Sequence, residues 1–331
     1  MYKNNDYIYD AVSKLESLTD FKIEIESKRN DYDAVLTIKD HRFKVIAQSN
    51  VRNSNKGIVL SRIIDLPNKD RGSIIFIADY ISKDAAYELR RNKINYIDTS
   101  GNTYLNYGNL YVFIEGQKAG NKEKSNQTRA FQEAGVKLLF FLLSEPNNLQ
   151  LSYREIAENT KISIGSVSNI MTELEDMNFL LKTEKKRFLK NKTELLERWI
   201  VAYNDILKPR IFRKKMRFYS TNNFKDAPIL SLPEPCLWGG EPGASILTNY
   251  LRPEKFTLYT NNELGDISKT LEMIPDTEGN VDIYQVFWNP LNSNDITAPP
   301  LIIYADLISS GFERNIETAK MIFENDLQHI K

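Results

Sequence analysis

Hydrophobic positions in the first third of the chain follow helical spacing in one place and strand-like runs in others. Residues 7–18 carry apolar side chains at helical spacing, which predicts an amphipathic helix. Residues 34–38 and 42–47 are short apolar runs separated by a polar turn, which predicts two paired strands. Residues 73–78 (SIIFIA) form the continuous apolar run of a buried parallel strand. The pattern predicts an α/β domain over residues 1–117.

The middle of the chain has the pattern of three helices followed by a pair of short strands. A strongly apolar helix comes first, and the short second helix begins with Ser152 and Glu155 at capping-box spacing. A turn of about four residues separates it from a longer helix over residues 164–177, and an alternating stretch then predicts a hairpin. The order predicts a winged helix-turn-helix over residues 129–190, preceded by a polar linker, residues 118–128.

The last third mixes helical and strand patterns with proline pairs and loops between them. We expect residues 191–331 to form a C-terminal α+β domain of unassigned function. In it, the apolar run Leu301–Tyr304 predicts a strand, and the basic run Arg213–Lys215 is typical of a solvated helix face. The predicted fold class is therefore α+β multidomain.

The amino-acid composition of the chain excludes several classes of function. Of the 331 residues, 41% are hydrophobic and 27% are charged, which are ordinary globular values. A single cysteine, Cys236, excludes an internal disulfide and a cysteine-held zinc, and the two histidines leave little for histidine chemistry. The first residues lack the apolar run of a signal peptide, and no stretch approaches about 18 apolar residues. We expect a cytoplasmic protein without a metal or other cofactor.

Charge is unevenly distributed although the formal net charge is zero. Residues 1–117 are nearly balanced, with 17 Lys and Arg against 16 Asp and Glu. Residues 118–220 hold 20 basic residues against 12 acidic ones, and residues 221–331 hold 7 basic residues against 16 acidic ones. A basic middle between a neutral and an acidic segment indicates a polyanionic partner for the middle of the chain.

The third helix of the predicted winged helix-turn-helix separates core from surface positions. Its apolar residues are spaced to face the core, which leaves small polar side chains outward near its start. Such side chains suit close approach to base edges and phosphates, and Asn169 is the base reader that we expect, because a carboxamide can bond an adenine edge. Cations on the hairpin would add salt-dependent affinity. The predicted partner is double-stranded DNA, and the predicted contacts are Ser163, Gly165, Ser166, Ser168, Asn169, Thr172, Lys182, Lys185, Lys186 and Arg187.

The first domain invites comparison with the restriction-endonuclease-like fold. The chemistry of that fold needs an Asp followed on the next strand by Glu-x-Lys, which together hold a divalent metal and activate water. Asp33 is present, but Ile46 and Gln48 fall roughly where Glu and Lys are needed. We therefore expect a degenerate, inactive nuclease-like domain, no catalytic residue and no enzyme activity.

Three further charged residues, Glu241, Asp306 and Arg314, need an interpretation. The segment Gly239–Gly243 lacks the Lys-Ser/Thr of a phosphate loop, and Glu241 within it opposes an anion, so a tight packing turn is the better interpretation. For Asp306 and Arg314 we expect an ion pair or a helix cap.

Several strings of the sequence resemble one family. They are Tyr153–Ala157 followed by Gly165–Val167, WGGEPGASILTNYLRPEKFTLY at 238–259, PPLIIYADLISSGFERNIETA at 299–319, and Tyr96–Asn102. Together these strings resemble the AbiEi-like antitoxins of type IV toxin–antitoxin systems. The resemblance implies a transcriptional repressor that binds operator DNA upstream of its own operon. It also implies a functional pairing with a nucleotidyltransferase-like toxin that the antitoxin does not contact directly.

Two alternatives remain open beside the DNA-binding regulator. One is a metal-dependent nuclease of a defence system, with an unusual site that uses Asp33, Glu24 or Glu26. The other is a protein-interaction module whose acidic C-terminal domain engages a partner or imitates nucleic acid.

Overall fold

The computed structural model describes residues 6–29, 32–64, 71–118, 128–219, 232–289 and 295–331. The chain divides into two compact units, Met1–Ser125 and Asn126–Lys331. The predicted linker lies outside the described residues except for its first and last positions. Both units combine helices with β-sheet, so the chain has a mixed α+β fold. Within the described ranges, none of the helices has the length and apolar character needed to cross a membrane.

The N-terminal unit is built on a seven-stranded sheet whose strands are ordered as they occur in the chain. The strands β1–β3 are antiparallel, β3–β5 run parallel, and β5–β7 are antiparallel. The parallel strands are connected through the helices α2 and α3, because parallel neighbours need a crossover connection. The elements are α1 (Asp6–Leu18), β1 (Ile23–Arg29), β2 (Tyr32–Ile38), β3 (His41–Val51), α2 (Lys56–Ile64), β4 (Ile74–Ile81), α3 (Lys83–Arg91), β5 (Asn95–Asp98), β6 (Thr103–Tyr107) and β7 (Leu110–Ile114).

Local sequence explains most of these elements. Helix α1 buries Ile8, Val12 and Leu15 against the sheet, as their helical spacing predicts. The strand β4 is buried on both faces from Ile74 to Ala78, which accounts for its continuous apolar run. Ser82 caps α3, since its side chain accepts a hydrogen bond from the Ala85 amide at 3.3 Å.

The second unit begins with the helices and the hairpin whose order the sequence predicts. The capping box of α5 is present, because Ser152 accepts from the Glu155 amide while the Glu155 carboxylate accepts from the Ser152 amide. A turn with Lys161 in the left-handed region leads into α6. The elements are a 3₁₀ turn (Arg129–Phe131), α4 (Glu133–Ser144), a 3₁₀ turn (Pro146–Gln150), α5 (Tyr153–Thr160), α6 (Ile164–Asp176), β8 (Leu180–Lys182) and β9 (Arg187–Leu189).

The rest of the second unit is a five-stranded sheet with helices packed around it. The strands are ordered β11-β12-β14-β10-β13, with β12 and β14 parallel. The elements are α7 (Lys192–Ala202), a π-helical turn (Tyr203–Leu207), α8 (Lys208–Ile211), β10 (Phe212–Phe218), β11 (Cys236–Gly239), α9 (Gly240–Thr248), β12 (Phe256–Thr260), α10 (Leu264–Thr270), β13 (Met273–Pro275), β14 (Val281–Tyr284), α11 (Pro300–Ser310), α12 (Glu313–Asp326) and a last 3₁₀ turn (Gln328–Ile330).

Two elements differ from the prediction. The apolar run Leu301–Tyr304, predicted as a strand, lies in helix α11. That helix is buried on nearly all sides, so its sequence lacks the polar face that identifies an amphipathic helix. The basic run Arg213–Lys215, predicted as a helix face, lies in strand β10. Its side chains alternate between partly buried and exposed, which is the period of a strand.

Candidate nucleic-acid interface

Helix α6 presents one apolar and one polar face. Val167, Ile170, Met171 and Leu174 are buried, as the spacing predicts. The helix contains no lysine or arginine, and its acidic residues lie in its second half. Its first two turns are therefore uncharged on the side that faces away from the core, where small polar side chains lie beside the exposed Ile164.

The predicted contact residues on α6 fall into two groups. Ser163 caps the helix by accepting from the Ser166 amide at 3.1 Å, and the two hydroxyl oxygens lie 2.9 Å apart. Thr172 donates to the Ser168 carbonyl at 3.1 Å. Asn169 and Gly165 are exposed, and a Cβ atom at Gly165 would meet nothing closer than the Ser163 hydroxyl at 4.0 Å. Because packing does not require a glycine there, the bare backbone of Gly165 is available for close approach by a ligand.

The hairpin β8–β9 places three cations in solvent. Lys182 ends β8, and Lys185 and Lys186 lie at the tip, all three exposed. The tip is closed by Thr183, whose amide and hydroxyl both donate to the Lys186 carbonyl, at 2.9 and 2.8 Å. The lysines at the tip are therefore presented from a short, hydrogen-bonded turn. Glu184, between them, is also exposed.

Arg187 is placed differently from the three lysines. Its guanidinium donates to the Leu151 carbonyl and lies 5.3 Å from the ring centroid of Tyr153. Its backbone pairs with the side chain of Gln150, which donates to the Arg187 carbonyl at 2.7 Å. Arg187 thus fastens the hairpin to the start of α5, a structural contact that the sequence analysis missed because the partners are 36 and 37 residues away.

A buried polar network lies around Asp306 in the same unit. Asp306 forms an ion pair with Lys208, with 2.6 Å between carboxylate and ammonium, as the sequence predicted for this aspartate. The Tyr259 hydroxyl donates to it at 3.0 Å, and the Gly240 amide donates at 3.2 Å. The Tyr203 hydroxyl lies 2.6 Å from that of Tyr259. Burial raises the pKa of both phenols, so they stay neutral and can donate.

A second network surrounds Glu241, at the start of α9. Its carboxylate accepts from the amides of Glu254 and Lys255, at 2.7 and 3.1 Å. Arg314 forms the predicted ion pair, with both carboxylate oxygens within 3.2 Å of one nitrogen. Asn315 donates to the same carboxylate at 3.0 Å. With its acceptor sites occupied, Glu241 joins α9, α12 and the loop before β12 as a packing centre.

Two acidic residues of the nuclease alternative, Asp33 and Glu26, bind different partners. Asp33 accepts from the Ala47 amide at 2.8 Å, which ties β2 to β3. Glu26 on β1 pairs with Arg42 on β3, and Glu24 is exposed on β1. In the part of the chain that the structure describes, no group of three or more His, Cys, Asp or Glu side chains is arranged to hold a metal ion.

Comparison with known families bears on the second unit. Residues 187–328 match the family model described as transcriptional regulator, AbiEi antitoxin, type IV toxin–antitoxin system. We call these matched residues, 187–328, the AbiEi segment. It covers less than half of the 331 residues, and it confirms the resemblance found in the strings at 238–259 and 299–319. No curated protein and no solved structure matches the chain.

The two strings of the AbiEi segment that carry the resemblance are those that build the buried networks. Gly239 and Glu241 come from the first string, and Asp306, Arg314 and Asn315 come from the second. At Gly239 a Cβ atom would lie 2.3 Å from the Tyr259 ring, so the backbone approach requires glycine. These residues hold the AbiEi segment together, whereas most of the predicted DNA contacts lie on α6 and the hairpin.

Proposed function

We propose that the protein is a sequence-specific DNA-binding transcriptional regulator and that residues 129–190 form its winged helix-turn-helix. The observation that carries this proposal is the pairing of an uncharged, largely polar face on α6 with three exposed lysines on the hairpin that follows it. A helix of this kind fits the major groove of B-DNA, and a lysine-rich hairpin suits the backbone beside it. The AbiEi segment, which matches a family of transcriptional regulators, supports the same function.

In this proposal the two groups of side chains have separate roles. Asn169 is exposed in the second turn of α6 and reads a base edge, while Ser166, Ser168 and Gly165 allow close approach. Lys182, Lys185 and Lys186 bind phosphates and provide salt-dependent affinity without sequence preference. Because α6 has no cation of its own, most of the affinity depends on residues outside the helix.

The N-terminal unit is proposed to be a nuclease-like domain without catalytic activity. Ile46 lies on β3 where a metal-binding carboxylate is needed, and an apolar side chain cannot replace that ligand. Asp33 accepts a backbone hydrogen bond from Ala47, which gives it a structural role. Incubation of supercoiled DNA with the protein and Mg²⁺ or Mn²⁺ tests this, and cleavage that Asp33→Ala abolishes would contradict it.

The biological role that we propose is that of an antitoxin that represses its own operon. The support is the AbiEi segment, since the matched family is described as antitoxins of type IV systems. The partners would be operator DNA and, functionally, a nucleotidyltransferase-like toxin without direct contact. A reporter fused to the upstream region tests repression, which we expect the intact gene to impose.

The hairpin gives the first biochemical test. Lys185→Ala with Lys186→Ala should weaken binding to every duplex by a similar factor and make the dependence on salt less steep. A matched control, Lys22→Ala with Lys83→Ala, removes two exposed lysines from the N-terminal unit and should change little. Equal affinity of the hairpin variant and the wild type would contradict the assignment of the hairpin.

A further inference from the structure

A polar cleft of about 760 Å³ lies beside the first two turns of α6. Ser166 and Asn169 line it together with Arg129 and Arg210. Ser166 and Asn169 belong to the face that the proposed function places in the major groove. The two arginines therefore share a cleft with the proposed base-reading residues.

Arg129 is exposed at the rim of this cleft. Among the described residues, its side chain forms no hydrogen bond or ion pair. Its backbone is held close to α4, because a Cβ atom at Gly135 would lie 2.3 Å from the carbonyl oxygens of Arg129 and Ala130. The guanidinium is thus carried on a firmly packed turn and remains available to an anion.

Arg210 lies on α8, inside the AbiEi segment, and is 62% exposed. It pairs with Glu133 at 2.6 Å, and Glu133 also binds Lys137 at 2.8 Å. Hydrogen bonds from Lys137 and Arg210 lower the pKa of Glu133, so this carboxylate is ionised and is shared by two cations. Asp205 also lines the cleft. The lining of the cleft thus holds two arginines and two carboxylates, and Lys137, which binds Glu133 from outside the lining, adds a third cation.

The cleft and the hairpin lie near opposite ends of α4, which suggests that the cleft contacts a second DNA strand. The cleft adjoins Glu133 and Ala134 at the start of α4, whereas Lys186 and Arg187 line a cavity with Leu142 and Leu143 at its end. Twelve helical residues span about 18 Å. The major groove is about 12 Å wide and accepts a helix, so cations at the two ends of α4 can reach the two strands that border it.

We propose that Arg129 and Arg210 form a second phosphate-binding site, which contacts the DNA strand on the side of α6 away from the hairpin. This inference rests on the proposed function. It adds that the AbiEi segment itself contributes a residue, Arg210, to the DNA interface. Glu133 orients the Arg210 guanidinium and limits its charge in the absence of DNA.

The test uses the full-length chain and a random 30-base-pair duplex, because phosphate contacts do not depend on sequence. Each lost phosphate contact reduces the slope of log K against log salt by about 0.9, so Arg129→Ala with Arg210→Ala should reduce it by about 2. At 0.1 M salt the expected loss of affinity is about 10- to 60-fold. Glu133→Gln should tighten binding, because it removes a negative charge beside the phosphates.

The control is Arg42→Ala with Arg91→Ala in the N-terminal unit. Arg42 pairs with Glu26 at 2.6 Å and is 58% exposed, which closely matches Arg210 and Glu133. This variant carries the same net charge as the test variant and should bind like the wild type. If the test and control variants show the same slope of log K against log salt, the proposal of a second phosphate-binding site is wrong, while the proposed function stands. If the wild type binds neither random nor upstream duplex, both proposals are wrong.

Discussion

Lys208 and Asp306 are 98 residues apart in the chain and form a buried ion pair with 2.6 Å between their charged atoms. Lys208 begins the short helix that follows the π-helical turn, and Asp306 lies in the centre of α11. The side chain of Asp306 is 3% exposed, so its charge depends on this partner and on the Tyr259 hydroxyl. The pair therefore links the helices next to the proposed DNA-binding region to the centre of the AbiEi segment.

Removal of Lys208 should leave an uncompensated charge inside the protein. We expect Lys208→Met to lower the free energy of unfolding by about 3 kcal/mol, measured by urea denaturation. Lys208→Met combined with Asp306→Asn should be less destabilised than Lys208→Met alone, because no buried charge then remains unpaired. The control is Arg154→Met, which breaks an exposed pair with Glu158 and should cost less than about 0.5 kcal/mol. Equal losses in Lys208→Met and the control would contradict this account.

Glu241 should matter for stability and not for DNA recognition. Its carboxylate accepts hydrogen bonds from two backbone amides and from the side chains of Arg314 and Asn315. The Glu241→Gln substitution weakens those bonds because it removes the charge. We expect a loss of about 2 kcal/mol in unfolding free energy, with unchanged DNA affinity of the folded protein. Glu254→Gln is the matched control, since Glu254 binds the same Arg314 but is 69% exposed. A Glu241→Gln variant that is as stable as this control would show that the network does not hold the segment together.

Asn169 should determine sequence preference. It is exposed, so Asn169→Ala should change the unfolding free energy by less than about 0.5 kcal/mol. Loss of a bidentate contact to a base should weaken binding to the preferred duplex by about tenfold or more, while binding to a scrambled duplex stays the same. Fluorescence anisotropy with both duplexes measures the difference. A parallel loss on both duplexes would assign Asn169 to the backbone instead.

Cys236 provides a probe for the sheet of the second unit. The thiol is buried in β11 and lies 3.1 Å from the Thr260 hydroxyl, and burial raises its pKa above the ordinary value of 9.0. At pH 8 the thiolate is therefore a small minority, and reagent access is blocked as well. We expect Cys236 to resist a disulfide reagent in the native protein and to react rapidly in urea. Fast stoichiometric reaction of the native protein would contradict the burial of β11.

Elements with strong local signals could be predicted from the sequence. The capping box at Ser152 and Glu155 and the N-cap at Ser82 involve groups only three residues apart, so the sequence contains the whole interaction. The apolar face of α6 and the buried strand β4 follow from spacing alone. The helix–helix–hairpin order of the proposed DNA-binding region was predictable for the same reason.

Other features depend on tertiary context. Helix α11 is apolar on nearly all sides, and a short buried apolar run is consistent with either a strand or a helix. In β10, Arg213 donates to the carbonyls of Thr260 and Asn262, which come from distant parts of the chain. Arg187 was predicted as a phosphate contact, and its bond to Leu151 has no local signal. For Asp306 and Arg314 the sequence predicted the kind of interaction but not the partners, because the partners lie far along the chain.

The most direct test of the central claim, sequence-specific DNA binding, is fluorescence anisotropy of the purified protein on two duplexes. One duplex comes from the region upstream of its own gene, and the other is a scrambled sequence of the same composition, each measured at several salt concentrations. We predict clearly tighter binding to the upstream duplex, with affinity that falls on both duplexes as salt rises. Equal, weak binding to both would contradict a sequence-specific regulator and would leave only a basic surface on the second unit.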